Sequence, residues 1–300
     1  MVSEIRRPLM FVVSLVSLLG VSLLFYLAEG LPERLPRDAR ASYESLSAQN
    51  WVWDQNDECL EQYALPEATD FPWWFCYLEE ARPPDIGLLG SSRNNQLVPG
   101  FEKNPDLAPF NVLSIGTCGL LMDRQAVVEY AGPNPCDVEP RNIQFDFFAE
   151  TFRESPLPIV LIDVSASEDP TVNQASLKRL EEVQLLADKV VVVAPWKVPP
   201  FAPEDCLLRP IRVGELISCT VPLEHWDSQD RSWMVLRSEI EARFPAVLIF
   251  DPNTAFCKER SCHFLFDGKT IMRDRSHISV HGSELVAVVF VDWARDNDLF

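Results

Sequence analysis

Five short apolar runs constrain the fold of this chain more than any other feature. They stand at 85–90 (DIGLLG), 111–116 (NVLSIG), 159–164 (IVLIDV), 190–195 (VVVVAP) and 246–250 (AVLIF). Each is continuously apolar rather than alternating, as expected of a strand covered on both faces. Helix-like amphipathic stretches separate several of them. Residues 174–188 place Leu177, Leu180, Val183, Leu185 and Leu186 on one broad face, and 230–244 and 282–297 read the same way. Strands alternating with helices predict an α/β fold, a doubly wound parallel sheet of about five strands. In such a sheet, ligands bind beyond the carboxyl ends of the strands.

The N-terminus sets the compartment. Residues 9–28 (LMFVVSLVSLLGVSLLFYLA) contain no charge. As a helix rising about 1.5 Å per residue, this run spans roughly 30 Å, the thickness of a bilayer core. A cleavable signal peptide is usually shorter in its apolar part, about 7–15 residues, and ends in a small-residue cleavage site. Tyr26-Leu27-Ala28-Glu29 is a poor one, and Ala39-Arg40-Ala41 lies too far downstream among charges. The expectation is one transmembrane helix at 9–28 after a short cytoplasmic tail, 1–8. Arg6 and Arg7 favour that tail on the cytoplasmic side, with the rest of the chain outside. Residues 29–80 read as an irregular lead-in containing Trp51, Trp53, Trp73 and Trp74, and 81–300 as the main domain.

An exported domain can form disulfides. The eight cysteines fall in sequential neighbours, Cys59/Cys76, Cys118/Cys136, Cys206/Cys219 and Cys257/Cys262. Eight cysteines allow 105 pairings; sequential pairing, with each pair stapling a local loop, is the arrangement expected here. No metal site is expected, since Cys257, Cys262 and His263 lack both a C-x-x-C knuckle and a second cluster. The 26 basic against 45 acidic residues give a net charge of −19. That excludes nucleic acid as a first-guess partner, because phosphate binding needs a basic surface.

Two polar segments follow the apolar runs where chemistry is expected. Gly90-Ser91-Ser92-Arg93 would turn sharply from strand into helix, where unpaired N–H groups can serve an oxyanion. A serine at a helix start is also a common N-cap. Near the other end, Asp274 and His277 stand three apart in a polar loop (RDRSHIS), the spacing for a carboxylate that orients an imidazole. His281 competes for the base role but reads as helical; His225 and His263 have no acid at this spacing.

The order of these segments resembles the SGNH/GDSL hydrolases, and more specifically the extracytoplasmic SGNH domain fused to membrane acyltransferase-family-three proteins (OafA/OatA-like O-acyltransferases). IGLLGSSRNNQLVPGF looks like that family's LLLGDSHANQLYPGL block, and NVLSIGTCGLL like its NIGTCPPL block. VVVVAPWKVPPFAPEDCLLRP and the final DPNTAFCKERSCHFLFDGKTIMRDRSHISVHGSELVA match two further blocks in the right order. The similarity covers roughly 50–295 and implies a flavodoxin-like SGNH fold.

Carried over position by position, the resemblance makes Ser92 the nucleophile, Asp274 the orienting acid and His277 the base, with Ser91 an alternative nucleophile. Oxyanion donors would be the backbone N–H groups of Ser92 and Gly116. The usual GDSH block reads GSSR here, and the family's asparagine after the third strand is not evident in DVSASEDP. The implied activity is transfer of an acyl group, acetyl above all, to an envelope carbohydrate in the periplasm, without a cofactor. Its implied partners are an acyl donor, a carbohydrate acceptor and a polytopic acyltransferase of which this chain is a separate partner or a detached part. An esterase has the same triad, and a non-catalytic carbohydrate- or partner-binding module would account for the altered block.

Overall fold

The computed structural model describes residues 2–27, 53–63, 74–116, 119, 138–164, 166–206 and 219–300. The expected Cys118–Cys136 pair, Trp51 and Trp73 lie outside the described residues.

The five apolar runs form five parallel strands: β2 (Ile86–Leu89), β3 (Val112–Gly116), β4 (Leu157–Asp163), β5 (Ala187–Val193) and β7 (Leu248–Phe250). A further strand, β1 (Phe75–Leu78), pairs antiparallel with β3, giving the order β1-β3-β2-β4-β5-β7. This differs from the expected irregular lead-in. Phe75–Leu78 joins the sheet edge, and helix α2 (Asp57–Tyr63) is tied to it by the buried Cys59–Cys76 disulfide. The run FCYL alternates half-buried and buried side chains, a weaker signal than the continuous runs.

The strands are apolar throughout because both faces are covered. Ile159, Leu161, Val191 and Val193 join Ile86 and Leu88 in one core, with Phe101, Phe290 and Val286 from α4 (Val98–Lys103) and α8 (Val280–Asp296). Val160, Ile162, Val190 and Val192 point the other way, toward Phe148, Leu177, Leu180 and Leu236. Those side chains come from α5 (Val138–Phe152), α6 (Pro170–Val183) and α7 (Asp227–Arg243). Gly100 brings α4 and α8 into close approach: a Cβ there would lie 2.1 Å from the Ser283 carbonyl oxygen. The Ser283 hydroxyl instead accepts from Gly100 N–H at 2.9 Å and donates to Leu97 O at 3.1 Å.

Helix α6 starts earlier than the apolar periodicity predicts. Asp169 caps it, accepting from Thr171 N–H, and Pro170 occupies its first turn. It also ends earlier, so Leu185 lies in the following turn and is 57% exposed rather than on the buried face. Ala187 and Asp188 already belong to β5.

The pairs Cys59–Cys76, Cys206–Cys219 and Cys257–Cys262 are disulfide-bonded, with Cα separations of 5.4, 5.6 and 3.8 Å. The last is closer than the expected interval of about 4.4–6.8 Å. Cys257 and Cys262 face each other directly across β8 (Cys257–Lys258) and β9 (Ser261–His263), in a small antiparallel sheet completed by β6 (Thr220–Pro222) on the far side of β9. His263 N–H donates to Phe256 O beside them, which makes the cysteines a non-hydrogen-bonded pair, the nearer kind in an antiparallel ladder.

The first helix, α1 (Val2–Leu27), contains the 9–27 part of the uncharged run. Its side chains are described from 14 to 26 and are exposed, Leu18 and Tyr26 among them. Among the described residues no helix is long and apolar enough to cross a membrane. The crossing expected for 9–28 therefore rests on the sequence.

Candidate active site

The order of the five parallel strands, β3-β2-β4-β5-β7, reverses direction between β2 and β4. That switch point is where an open α/β sheet presents its crevice. Ser92 stands just beyond β2, at the start of the single-turn helix α3 (Ser92–Asn95). The turn needs Gly90, whose φ of 120° is a region side chains rarely enter. Gly116 ends the neighbouring strand with φ of 129°, so close that a Cβ on it would lie 2.7 Å from Gly90 O. Because α3 is only one turn, its contribution comes from local N–H groups rather than from a long helix dipole.

Ser91 is the N-cap. Its hydroxyl accepts from Arg93 N–H at 3.2 Å and donates to Asp163 Oδ2 at 2.9 Å. Among the described residues it makes no hydrogen bond to a histidine. Ser92 does: its Oγ lies 2.8 Å from Nε2 of His277, 185 residues further on. The other ring nitrogen, Nδ1, lies 2.8 Å from Oδ2 and 2.9 Å from Oδ1 of Asp274. These partners select the tautomer in which Nδ1–H donates to Asp274 and Nε2 accepts the serine proton. Ser92, His277 and Asp274 thus form a continuous hydrogen-bonded relay, and the two serines left open by the sequence are distinguished by their partners.

The loop carrying the acid and the imidazole is built by the acid itself. Asp274 Oδ1 accepts from Ser276 N–H at 2.8 Å and His277 N–H at 2.9 Å, closing a tight turn. Arg273 N–H donates to His277 O at 2.8 Å, and Met272 bridges Ile278 across the turn. Partial burial pushes the Asp274 carboxyl up, but the imidazole and the Ser276 and His277 N–H groups outweigh it. The net effect holds the carboxyl well below the usual carboxylate range.

Three buried side chains that sequence reasoning did not select complete the setting. Gln96 Oε1 accepts from Ile278 N–H at 2.8 Å, joining the serine turn to the histidine loop. Asn94 Nδ2 donates to Leu89 O and Leu161 O at 2.8 and 3.0 Å, bridging the ends of β2 and β4. Asn95 Nδ2 donates to Trp53 O at 2.7 Å and Ser114 Oγ at 3.0 Å. The run Asn94-Asn95-Gln96 directly after the serine turn is the signal the sequence carries; all three are almost fully buried, and each has at least one amide atom on a partner. Trp53 is half-buried and Trp74 buried, so they pack rather than project.

The remaining histidines stand apart from this relay. His281 is in α8, 4.0 Å from Glu284, and burial holds its pKa below the usual value. His263 Nδ1 lies 3.0 Å from Thr220 Oγ1, and His225 packs edge-on to Trp226. Cys257 and Cys262 bond to each other rather than serving as ligands beside His263.

Residues 58–292 match the family of SGNH domains fused to AT3 domains. The chain belongs to the SGNH domain family. Membership places this SGNH domain in the class of acyltransferases and esterases, without fixing a substrate. Among solved structures, the periplasmic domain of a lipopolysaccharide acetyltransferase from Salmonella ser. Paratyphi A is similar. Identity is 10%, the TM-score 0.44, and the match covers 71% of this chain and 84% of that one. No curated protein sequence matches.

Proposed function

We propose that this SGNH domain is a membrane-anchored, extracytoplasmic O-acyltransferase that moves an acyl group, acetyl in the simplest case, onto a cell-envelope carbohydrate. The single observation that carries the reading is the 2.8 Å contact between Ser92 Oγ and His277 Nε2, backed by Asp274 on the far side of the ring.

In the proposed cycle Ser92 Oγ attacks the donor carbonyl while His277 Nε2 takes its proton. The carbonyl oxygen becomes an oxyanion, for which the N–H groups of Ser92 and Gly116 are the proposed donors. On collapse, the bond to the donor's leaving group breaks and that group receives the proton from His277, leaving an acyl-serine. A sugar hydroxyl then gives its proton to Nε2 and attacks the acyl-serine. Collapse of this second intermediate forms the sugar ester and returns the proton to Ser92. Asp274 stays ionised and stabilises the imidazolium in both halves.

Anchoring is proposed for 9–28, with Arg6 and Arg7 inside. The exposed apolar side chains of α1, Leu15 to Phe25, support it. Fusion of the family's domain to AT3 domains supports a polytopic acyltransferase as the source of acyl groups. The test is acyl release from p-nitrophenyl acetate by the full chain, with and without an oligosaccharide acceptor. Acceptor-dependent sugar ester supports transfer. Release unchanged by any acceptor makes the protein an esterase, and no Ser92-dependent release makes it a binding module. Protease added to intact spheroplasts should digest the C-terminal domain; protection would contradict the location.

A further inference from the structure

The residue before the nucleophile is Ser91, where the resembled block carries an acid. A carboxylate nevertheless meets this position, from a different strand. Asp163 ends β4, beside β2 at the switch point; Leu89 and Ile162 are register partners, which sets Asp163 level with Gly90. Asp163 is 5% exposed, and its Oδ2 accepts the Ser91 hydroxyl across 72 residues of chain. Its Oδ1 is buried and makes no hydrogen bond among the described residues.

An unsatisfied oxygen on a buried carboxylate is expensive, and a structural site would be better filled by a neutral side chain. Burial pushes the Asp163 carboxyl up, opposed by the charge of Arg93 and by the Ser91 hydroxyl and N–H. Three of the opposing groups come from the GSSR turn, and the fourth is the backbone N–H of Asp163 itself. A serine hydroxyl has one proton and two lone pairs. With its proton committed to Asp163, Ser91 Oγ must present a lone pair to Arg93 N–H, the bond that caps α3 and sets the turn holding Ser92.

We propose that Asp163 is the positioning carboxylate of the nucleophile turn: acting through Ser91, it fixes from β4 the geometry that an acid at 91 would fix from within the turn. The inference rests on the acyl-transfer reading for its consequence in rate, but not for the contact itself.

The test uses the full chain in detergent, with two readouts. The first is the rate of Ser92 labelling by a fluorophosphonate probe. The second, independent of chemistry, is hydrogen exchange of the peptide spanning 90–96. Asp163→Asn and Asp163→Ala should each slow labelling roughly 10- to 100-fold, the scale of a misplaced reacting group. Both should also speed exchange of 90–96 while leaving the other core peptides protected. Ser91→Asp alone sets two carboxylates against each other and should also be slow. The exchange of partners, Ser91→Asp with Asp163→Ser, restores one carboxylate and one hydroxyl and should label within about threefold of the unaltered chain. A merely structural role would not be rescued this way.

Asp163→Asn labelling and exchanging like the unaltered protein would overturn the proposal. So would a folded exchanged-partner variant no faster than Asp163→Asn, or one that does not fold at all. If Asp163→Asn itself does not fold, the exchanged-partner variant decides. If the unaltered chain is never labelled, the acyl-transfer reading fails, and the exchange of 90–96 alone decides for or against Asp163.

Discussion

Gln96 and Ile278 lie 182 residues apart in the chain and meet through one buried hydrogen bond, Ile278 N–H to Gln96 Oε1 at 2.8 Å. Ser92 is one turn before Gln96, and His277 immediately precedes Ile278. The bond therefore sets the spacing between nucleophile and base. Gln96→Leu should leave a buried N–H unpaired, lowering stability by about 1–3 kcal/mol. It should also lower kcat on p-nitrophenyl acetate with little change in KM, because substrate is not touched. Thermal melts and steady-state kinetics on the full chain check both parts; unchanged kcat would remove Gln96 from any positioning role.

The relay residues should behave as a unit. Ser92→Ala is expected to abolish acyl release and His277→Ala nearly to do so, with the double variant losing little more than either. Asp274→Asn should cost less or comparably, since it orients the imidazole without taking the proton. Ser91→Ala removes a cap and the donor to Asp163, so a partial loss is expected, well short of that of Ser92→Ala. A dead Ser91→Ala beside an active Ser92→Ala would reverse the assignment of the nucleophile.

Acid should loosen the histidine loop. The Asp274 carboxyl is held below its ordinary pKa, so its ionised form stabilises the fold above the ordinary carboxylate range. That contribution is lost as pH falls through the range toward the depressed folded value. Asp163 has the opposite sign: its raised pKa means stability present in full at low pH and lost as pH rises through the folded value. Melting temperature against pH should accordingly fall less steeply on the acid side in Asp274→Asn. It should decline less toward neutral pH in Asp163→Asn. Parallel curves for all three proteins would contradict both assignments.

Much of this was legible in the sequence for a physical reason. Continuous Val/Ile/Leu runs have one use in an α/β chain, so 85–90 and 159–164 gave strand places directly. Asp274 and His277 lie within one turn, so their pairing needed no tertiary knowledge. The edge strand Phe75–Leu78 was hidden because half its side chains are partly exposed and its neighbours are irregular. Asp163 was hidden for a different reason. Its partner comes from another strand end, and only the order of strands brings Ser91 beside it. The same holds for Gln96, whose partner is a backbone N–H that no side-chain pattern records.

Loop size should rank the disulfides. Cys59–Cys76 closes 17 residues and Cys257–Cys262 only 5, so removing the first frees more chain entropy in the unfolded state. Cys59 and Cys76 are also fully buried and hold α2 against β1. Paired serine substitution at 59 and 76 should lower stability by about 2–5 kcal/mol, the usual range for a native disulfide, and the 257/262 pair by less. Denaturant titration in the oxidised state gives the comparison, and the reverse order would mean that strand pairing, not chain entropy, dominates.

Whether Ser92 carries the acyl group is read most directly by peptide mass analysis of the full chain quenched after incubation with an activated acetyl ester. One acetyl group is expected on the peptide containing Ser92, lost when a carbohydrate acceptor is added and recovered as sugar ester. None is expected in His277→Ala. An acetyl group on Ser91 instead, or an unmodified Ser92 peptide under every donor tried, would contradict that role for Ser92.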